Sequence, residues 1–376
     1  MRPETLAVHA GGEADAATGA LSPPIHLATT FKHGPAGERV AGYEYQREGN
    51  PTQDRLEAML SVLEGGHGAL ATGSGMAAMS LLLDSLAAGS RIVIPDDCYT
   101  GLRVLAQEFL PQRGVTAATV DMADLAAVKS AAAGAALIWA ETPSNPQLKI
   151  ADISAIAAIA RGAGALLACD NTFATPALQR PIELGADVVM HSTTKYFGGH
   201  SDCMGGALVF ARRDAFFESV AHRRHVTGGI LSPFNAWLIL RGARSLHARM
   251  SWHCRNAGVI AAFLADHPAV EVVHYPGLAS HPGHDIARRQ MRDFGGMLSF
   301  RVKGGRDAAL AVAARLKLIT NATSLGGPES LIEHRASVEG PTPFSPQNLL
   351  RFSVGLENVE DLIDDLAQAL GKTLNG

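Results

Sequence analysis

Short apolar runs that alternate with helix-like segments constrain the fold of this chain more than any other feature. The runs lie at residues 69–71, 92–94, 137–139, 166–168, 188–190 and 207–210. They lack polar alternation, which is typical of strands buried on both faces in a mostly parallel sheet covered by helices. We therefore predict an α/β fold, with functional side chains just beyond the carboxyl ends of these strands.

The strand rhythm changes near Ser232-Pro233, and 376 residues are long for a single core. A segment with the pattern of one long or one interrupted helix spans 237–263, and shorter strand-like runs follow at 270–273, 297–302 and 348–354. A last helix is expected at about 360–370. Helix breakers such as Gly11-Gly12 and Pro23-Pro24 indicate that the first 50 residues or so form an extended arm. The predicted parts are an arm over 1–50, a large domain over 51–235 and a smaller C-terminal α/β domain over 236–376.

Composition and charge restrict the possible partners. The formal net charge is −4, so we expect neither nucleic acid nor an anionic membrane as a partner. No apolar run reaches the roughly 18 residues that span a bilayer, and the first ten residues lack the apolar core of a secretory signal. The four cysteines are far apart and show no metal-ligand spacing with the histidines. We expect a cytoplasmic protein with reduced thiols and no metal.

The segment 191–197, His-Ser-Thr-Thr-Lys-Tyr-Phe, puts Lys195 beside hydroxyls and directly after an apolar run. An amine can form a Schiff base with an aldehyde, and hydroxyls can hold a phosphate. Pyridoxal phosphate (PLP) carries both groups, so this segment predicts PLP as cofactor. A lone lysine is more often a solvated surface charge, and other residues must therefore support the hypothesis.

Two further segments support a PLP site. Asp170 follows the run at 166–168, where a carboxylate can pair with a protonated ring nitrogen; a helix N-cap is the ordinary alternative. Gly73-Ser74-Gly75-Met76 precedes a helix expected to begin near Ala77, and such a turn can hold an anion or simply start a helix. Lys195 lies 25 residues after Asp170, which leaves room for one crossover to a neighbouring strand. Together the three segments favour PLP.

Ordered motifs along nearly the whole chain resemble the Cys/Met-metabolism (trans-sulfuration) family of fold-type-I PLP enzymes. They are YEYQREGNPT at 43–52, SGM at 74–76, ETPSNP at 141–146, DNT at 170–172, HSTTKY at 191–196, GHSD at 199–202, YPGL at 275–278, SLGG at 324–327 and RFSVGLE at 351–357. The resemblance implies a fold-type-I PLP-dependent transferase architecture, with a large PLP-binding domain and a smaller C-terminal α/β domain.

The resemblance also implies roles for individual residues around the cofactor. Lys195 would be the Schiff-base lysine and proton carrier, and Tyr99 would stack on the ring. Asp170 would hold the ring nitrogen and Asn145 would touch the ring hydroxyl. The phosphate would be held by Gly75, Met76, Ser192 and Thr194.

Substrate and subunit contacts follow from the same resemblance. Arg351 would bind the substrate α-carboxylate with two parallel hydrogen bonds, supported by Ser324 and Asn145. Tyr45 and Arg47 of the arm would reach the phosphate in a neighbouring subunit. This implies a dimer at least, and we expect a homotetramer built from two such dimers.

Three positions depart from the family pattern near the expected substrate site. Thr323 stands where γ-lyases and γ-synthases often carry Glu, and Arg103 comes one residue earlier after Tyr99 than the family's arginine. His334-Arg335 begins a stretch that replaces the family's PAxMTH, and it could supply substrate contacts or form a solvated loop. Leu325 stands where β-lyases typically carry Trp, which favours chemistry at Cγ.

We expect a cystathionine γ-lyase or γ-synthase type of activity, that is, α,γ-elimination or γ-replacement on cystathionine or activated homoserine. Alternatives are a methionine or homocysteine γ-lyase and a cystathionine β-lyase. An aminotransferase would share Lys195, Asp170 and Arg351. A PLP-binding sensor without turnover fits poorly with an intact Lys195 and Tyr99, and a Rossmann site would need a third glycine after Gly75.

Overall fold

A seven-stranded sheet lies at the centre of the first two-thirds of the chain. The computed structural model describes residues 1–340 and 343–371. The strands of the large sheet are β1 Gly68–Thr72, β2 Arg91–Pro95, β3 Thr116–Val120, β4 Leu137–Glu141, β5 Leu166–Asp170, β6 Val188–His191 and β7 Gly206–Phe210. All six predicted apolar runs form strands. β3 has no apolar run in the sequence to predict it, because all five of its side chains are exposed or half-exposed at the sheet edge.

The strand order β1-β7-β6-β5-β4-β2-β3 makes this sheet mixed but mostly parallel. Among the described strands of this sheet, only β7 runs in the direction opposite to all the others. The carboxyl ends of β1, β4, β5 and β6 therefore meet at one edge of the sheet. Apolar side chains are buried on both faces, as the runs without polar alternation predict.

Helices cover the large sheet and begin and end at residues suited to those positions. They are α1 Pro3–His9, α2 Pro51–Glu64, α3 Gly75–Asp84, α4 Thr100–Val104, α5 Leu125–Ala131, α6 Ile153–Ala163, α7 Thr175–Leu178, α8 Ala215–Thr227 and α9 Pro233–Ala243. Two further turns, Leu105–Phe109 and Leu110–Arg113, continue α4. Ser74 and Asp152 accept backbone N–H hydrogen bonds as N-caps of α3 and α6, and Gly164 ends α6 with a left-handed backbone.

A second sheet of five strands follows in the C-terminal third, in the order β10-β11-β12-β9-β8. Its strands are β8 Val270–His274, β9 Met297–Val302, β10 Thr320–Asn321, β11 Leu331–His334 and β12 Leu349–Ser353. The accompanying helices are α10 Leu246–Asp266, α11 His284–Gln290, α12 Gly305–Arg315, α13 Arg335–Val338 and α14 Val359–Gly371. In its antiparallel pairing with β11, β12 places Arg351 opposite Glu333.

Helix α10 contributes to both hydrophobic cores. Leu246 and Met250 pack in the cluster that contains Val189 of the large sheet, whereas Ile260 and Leu264 pack against the second sheet. The predicted helical segment 237–263 is two helices, α9 and α10. The predicted domain boundary after residue 235 lies within the first turn of α9. The division into two domains stays a prediction.

The expectation of an extended arm over the first 50 residues is wrong for its beginning. Pro3 occupies the first turn of α1, and Ala7 is buried in the main core. The rest of the arm carries large exposed apolar side chains, including Leu21, Leu27 and Val40. No helix in the described part of the chain is long and apolar enough to cross a membrane.

Candidate active site

A cavity of roughly 420 Å³ lies at the carboxyl-end edge of the large sheet and is closed on its far side by the second sheet. From the large sheet, the predicted residues that line it are Gly75, Met76, Asp170, Ser192, Thr194 and Lys195. Tyr99 and Asn145 line it from the loops after β2 and β4, and Ser324 and Arg351 line it from the second sheet. Residues as far apart in sequence as Gly75 and Arg351 thus line the same cavity.

Lys195 lies in the turn after β6 and donates a hydrogen bond from Nζ to Ser324 Oγ at 2.7 Å. Burial, which removes the hydration of the ammonium, and the positive charge of Arg351 together lower the pKa of Lys195 to about 8. A large fraction of this amine is therefore neutral near pH 8. A neutral amine is the form that attacks an aldehyde or accepts a proton from carbon.

Asp170 is the last residue of β5, and its carboxylate accepts a hydrogen bond from the backbone N–H of Thr172 at 2.9 Å. Burial raises its pKa, since the charged form loses contact with water. In the β4–β5 pairing, Glu141 is directly opposite Asp170. Burial raises the pKa of Glu141 well above its usual value, and the negative charge of Asp170 raises it further. A cationic group in the cavity would offset this excess of buried acid.

Glu141 also positions Tyr99. The backbone N–H of Tyr99 donates to the Glu141 carboxylate at 2.9 Å, and the ring lines the cavity while remaining partly exposed. Glu141 was named only as part of a motif, and its contact with Tyr99 was not predicted. The available signal was its place at the end of β4, equivalent to that of Asp170 on β5.

The N-terminus of α3 forms one wall of the cavity and comes very close to the end of β6. A Cβ atom added at Gly75 would lie 2.8 Å from Cβ of Ser192, so only glycine allows this approach. The first backbone N–H groups of α3 are thereby placed beside Ser192, where they suit an anion. The Thr194 hydroxyl is fixed by Gly205, since it donates to the carbonyl and accepts from the N–H, both at 3.1 Å.

Arg351 is buried in the opposite wall with its guanidinium facing the cavity. It donates to Asn145 Oδ1 and to the Ser324 carbonyl, each at 3.2 Å, and forms an ion pair with Glu333 at 2.9 Å. Glu333 was not identified from sequence, although it lies in β11 directly opposite Arg351. Arg351, Asn145 and Ser324 therefore lie together, and their expected role as a site for the substrate carboxylate stays a prediction.

The structure separates three other predicted residues from this cavity. Tyr45 and Arg47 lie on the arm, with the Arg47 guanidinium 5.2 Å from the centre of the Tyr45 ring, and they line a different groove. Arg103 is directed away, donating to the Asp96 carbonyl and stacking on Phe344 at 4.1 Å.

The alternative of a solvated loop at His334-Arg335 is wrong, because both side chains are buried and Arg335 begins α13. The ring nitrogens of His334 form hydrogen bonds with the Ser337 hydroxyl and with the Gln347 carbonyl. Arg335 lines the cavity. Its burial could not be read from sequence, since its partner Thr100 lies 235 positions earlier.

A comparison with protein families gives one match that spans almost the whole chain. The family described as Cys/Met metabolism PLP-dependent enzymes matches residues 4–371. The chain belongs to this family. The predicted family and PLP dependence are confirmed.

Curated relatives and solved structures agree with this membership. Cystathionine γ-synthase of Mycobacterium bovis is 49% identical over 98% of this chain and 97% of its own length. Cystathionine γ-lyase of Bacillus subtilis is 42% identical over 98% of this chain and 99% of its own. The crystal structure of metB from Corynebacterium glutamicum superimposes with a TM-score of 0.96 at 44% identity, covering 99% of this chain and 98% of that one. The predicted fold class is confirmed.

The cavity of this Cys/Met-metabolism enzyme fits PLP. A buried carboxylate, Asp170, faces the cavity where a cationic ring nitrogen would supply the missing opposite charge. The close approach at Gly75 leaves helix N–H groups for a phosphate, and Lys195 carries an amine with a lowered pKa for the aldehyde. Aldehyde, ring nitrogen and phosphate therefore each have a suitable group.

Proposed function

We propose that this enzyme catalyses trans-sulfuration chemistry of the cystathionine γ-synthase or γ-lyase type. The observation that carries the proposal is that Lys195 and the buried Arg351 fork face one cavity from opposite sheets. A substrate carboxylate held at Arg351 would present Cα and its side chain toward the lysine amine. The M. bovis and B. subtilis relatives carry the names of these two activities.

The residues of this chain divide the work of binding and proton transfer. Arg351, with Asn145 beside it, orients the amino-acid substrate through its carboxylate. Lys195 accepts a proton from Cα and then carries protons between Cβ and the departing γ-substituent. When bound, PLP would supply an electron sink for the pair released at Cα. Asp170 would hold the protonated ring nitrogen, and Tyr99 would stack on the ring.

Chemistry at Cγ is favoured over chemistry at Cβ by Leu325. This residue lines the cavity and is buried, and it stands where the β-lyase pattern has a tryptophan. Elimination of the γ-substituent would yield 2-oxobutanoate and ammonia, whereas capture by cysteine would yield cystathionine.

The arm is proposed to complete the site of a neighbouring copy of the chain. Tyr45 and Arg47 project from a segment whose large apolar residues are exposed, with Leu21 at 79% and Leu27 at 73%. Exposed apolar surface of this kind suits burial against a second copy. The working assembly is a cytoplasmic homotetramer of two such dimers, and each copy comprises the arm, the large domain over 51–235 and the small domain over 236–376.

Product analysis tests the proposed function. Purified PLP-loaded enzyme is incubated with cystathionine, methionine, homocysteine or O-succinylhomoserine, each with and without cysteine. The proposal expects cystathionine from O-succinylhomoserine plus cysteine, or cysteine and 2-oxobutanoate from cystathionine. Pyruvate and homocysteine from cystathionine would show cleavage at Cβ and would overturn it, as would stoichiometric amino-group exchange without elimination.

A further inference from the structure

Four charged side chains form a buried cluster in the wall of the cavity that faces Lys195. They are Glu333, Arg335, Glu339 and Arg351, with side-chain exposures of 4%, 9%, 4% and 6%. The cluster contains two positive and two negative charges, so it is balanced without a substrate. Any substrate carboxylate that binds Arg351 adds a negative charge to it.

A single oxygen of Glu333 contacts both arginines: it accepts a hydrogen bond from Arg335 and forms an ion pair with Arg351. Its Oε2 atom lies 2.9 Å from Nη2 of Arg351 and 2.6 Å from Nη1 of Arg335. Its other oxygen, Oε1, is buried and has no hydrogen-bond partner among the described residues. Glu333 therefore competes with an arriving carboxylate for Arg351 while depending on Arg335 as its second partner.

Arg335 is held from its far side. Its Nη2 atom donates to Thr100 Oγ1 at 3.3 Å and lies 3.5 Å from Glu339 Oε1. Glu339 in turn accepts backbone N–H groups from Phe344 and Ser345 at 3.0 and 2.9 Å. These contacts hold Arg335 beside Glu333.

We propose that Arg335 is a positioning residue that allows Glu333 to release Arg351 when the substrate carboxylate arrives. Without Arg335, Glu333 would become a buried, unpaired carboxylate at the moment of release, which is strongly unfavourable. With Arg335 present, Glu333 keeps one charged partner throughout the exchange. The inference rests on the proposed function in one respect, the assignment of Arg351 to the substrate carboxylate.

The test measures binding of two amines to the PLP-loaded enzyme by the change in its visible spectrum. Glycine carries a carboxylate and methylamine does not. Arg335→Met should raise the dissociation constant of glycine about tenfold or more and leave that of methylamine unchanged. Arg335→Lys, which keeps the charge, should bind glycine nearly as the unmodified enzyme does.

A double variant separates charge compensation from mere structural damage. Removing the charge of Glu333 together with Arg335 in Glu333→Gln/Arg335→Met should restore glycine binding toward the original value. Arg301→Met, alone and with Glu271→Gln, is the matched control, because this ion pair lies at 3.0 Å in the same sheet but is partly exposed. The control variants should leave both amines unaffected.

Three results would overturn the proposal. Equal weakening of glycine and methylamine in Arg335→Met, or a double variant as defective as the single one, would assign Arg335 a structural role. A defect restricted to substrates with a second carboxylate would make Arg335 a direct substrate contact instead. Failure of the underlying assignment is separately visible, since Arg351→Met would then leave glycine binding unchanged.

Discussion

The amine of Lys195 lies 2.7 Å from the hydroxyl oxygen of Ser324, and this contact joins the turn after β6 to the loop before β11. Ser324 adopts a left-handed backbone with φ of 83°, a conformation that residues other than glycine rarely take. The Ser324 carbonyl meanwhile accepts from Arg351 at 3.2 Å. One residue therefore contacts both the proposed proton carrier and the proposed carboxylate binder.

Lys195→Ala should remove the covalent link between enzyme and cofactor. Purified enzyme should be yellow, and borohydride treatment followed by peptide mapping should locate the cofactor on Lys195, since this amine faces the cavity with a lowered pKa. Lys149→Ala is a suitable control, because Lys149 is engaged with Asp96 and Asp121 away from the cavity. An unchanged visible spectrum in Lys195→Ala would contradict the assignment.

The rate at which the PLP-free enzyme captures PLP should rise with pH through about 8. The pKa of Lys195 lies near 8 because of burial and the charge of Arg351, and only the neutral amine attacks the aldehyde. Arg351→Met should move the midpoint upward, because it removes a positive charge. Glu333→Gln should move it downward, because Glu333 raises this pKa. Stopped-flow absorbance measures both shifts, and midpoints that stay fixed would argue against the electrostatic cause.

Gly75→Ala should weaken PLP retention. The added Cβ would lie 2.8 Å from Cβ of Ser192 and 3.2 Å from its Cα, so the end of β6 must move away from α3. The phosphate site between them would open, and dialysis followed by cofactor titration should show faster loss. Gly162→Ala is the control, since its Cβ meets nothing within 4 Å in α6 and should stabilise that helix by about 0.5–1 kcal/mol. Equal retention in both variants would contradict the role of the close approach.

Arg47→Ala should also weaken PLP retention, although Arg47 lines no part of the cavity in its own chain. The reason is the proposed contact of the arm with the phosphate of a neighbouring copy. Arg213→Ala provides a comparison, because Arg213 stacks on Phe217 at 4.8 Å and is exposed elsewhere on the surface. Full PLP occupancy of Arg47→Ala after extended dialysis would count against a crossing arm.

The parts of this fold that sequence predicts well are those in which burial alone determines the residue type. The strands at 188–190 and 207–210 are buried on both faces, so an unbroken apolar run marks them. The exposed edge strand β3 has no such mark. Likewise, the sequence does not mark α1 as helical, because a seven-residue helix stabilised by packing has little periodicity of its own.

The cofactor half of the site was predictable from local pattern, whereas in the opposite wall only Arg351 and Ser324 were predicted, through the family resemblance. Gly75, Asp170 and Lys195 lie at or within a few residues after the carboxyl ends of strands, so local pattern places each at the same sheet edge. The positions of Glu333 and Arg335 depend on how the second sheet docks against Thr100, which no local pattern encodes. The departure from the family pattern at residues 334–335 nevertheless pointed to this part of the wall.

The two sheets supply different parts of the site. Residues that face the proposed cofactor positions come mostly from the large sheet, and β11 and α13 supply much of the wall that a substrate side chain would meet. Replacements in α13 can therefore alter which amino acid is accepted, whereas Ser324 and Glu333 also act on Lys195 and so join the substrate wall to the cofactor edge. Such an architecture lets one chemical apparatus diversify into enzymes for many different substrates.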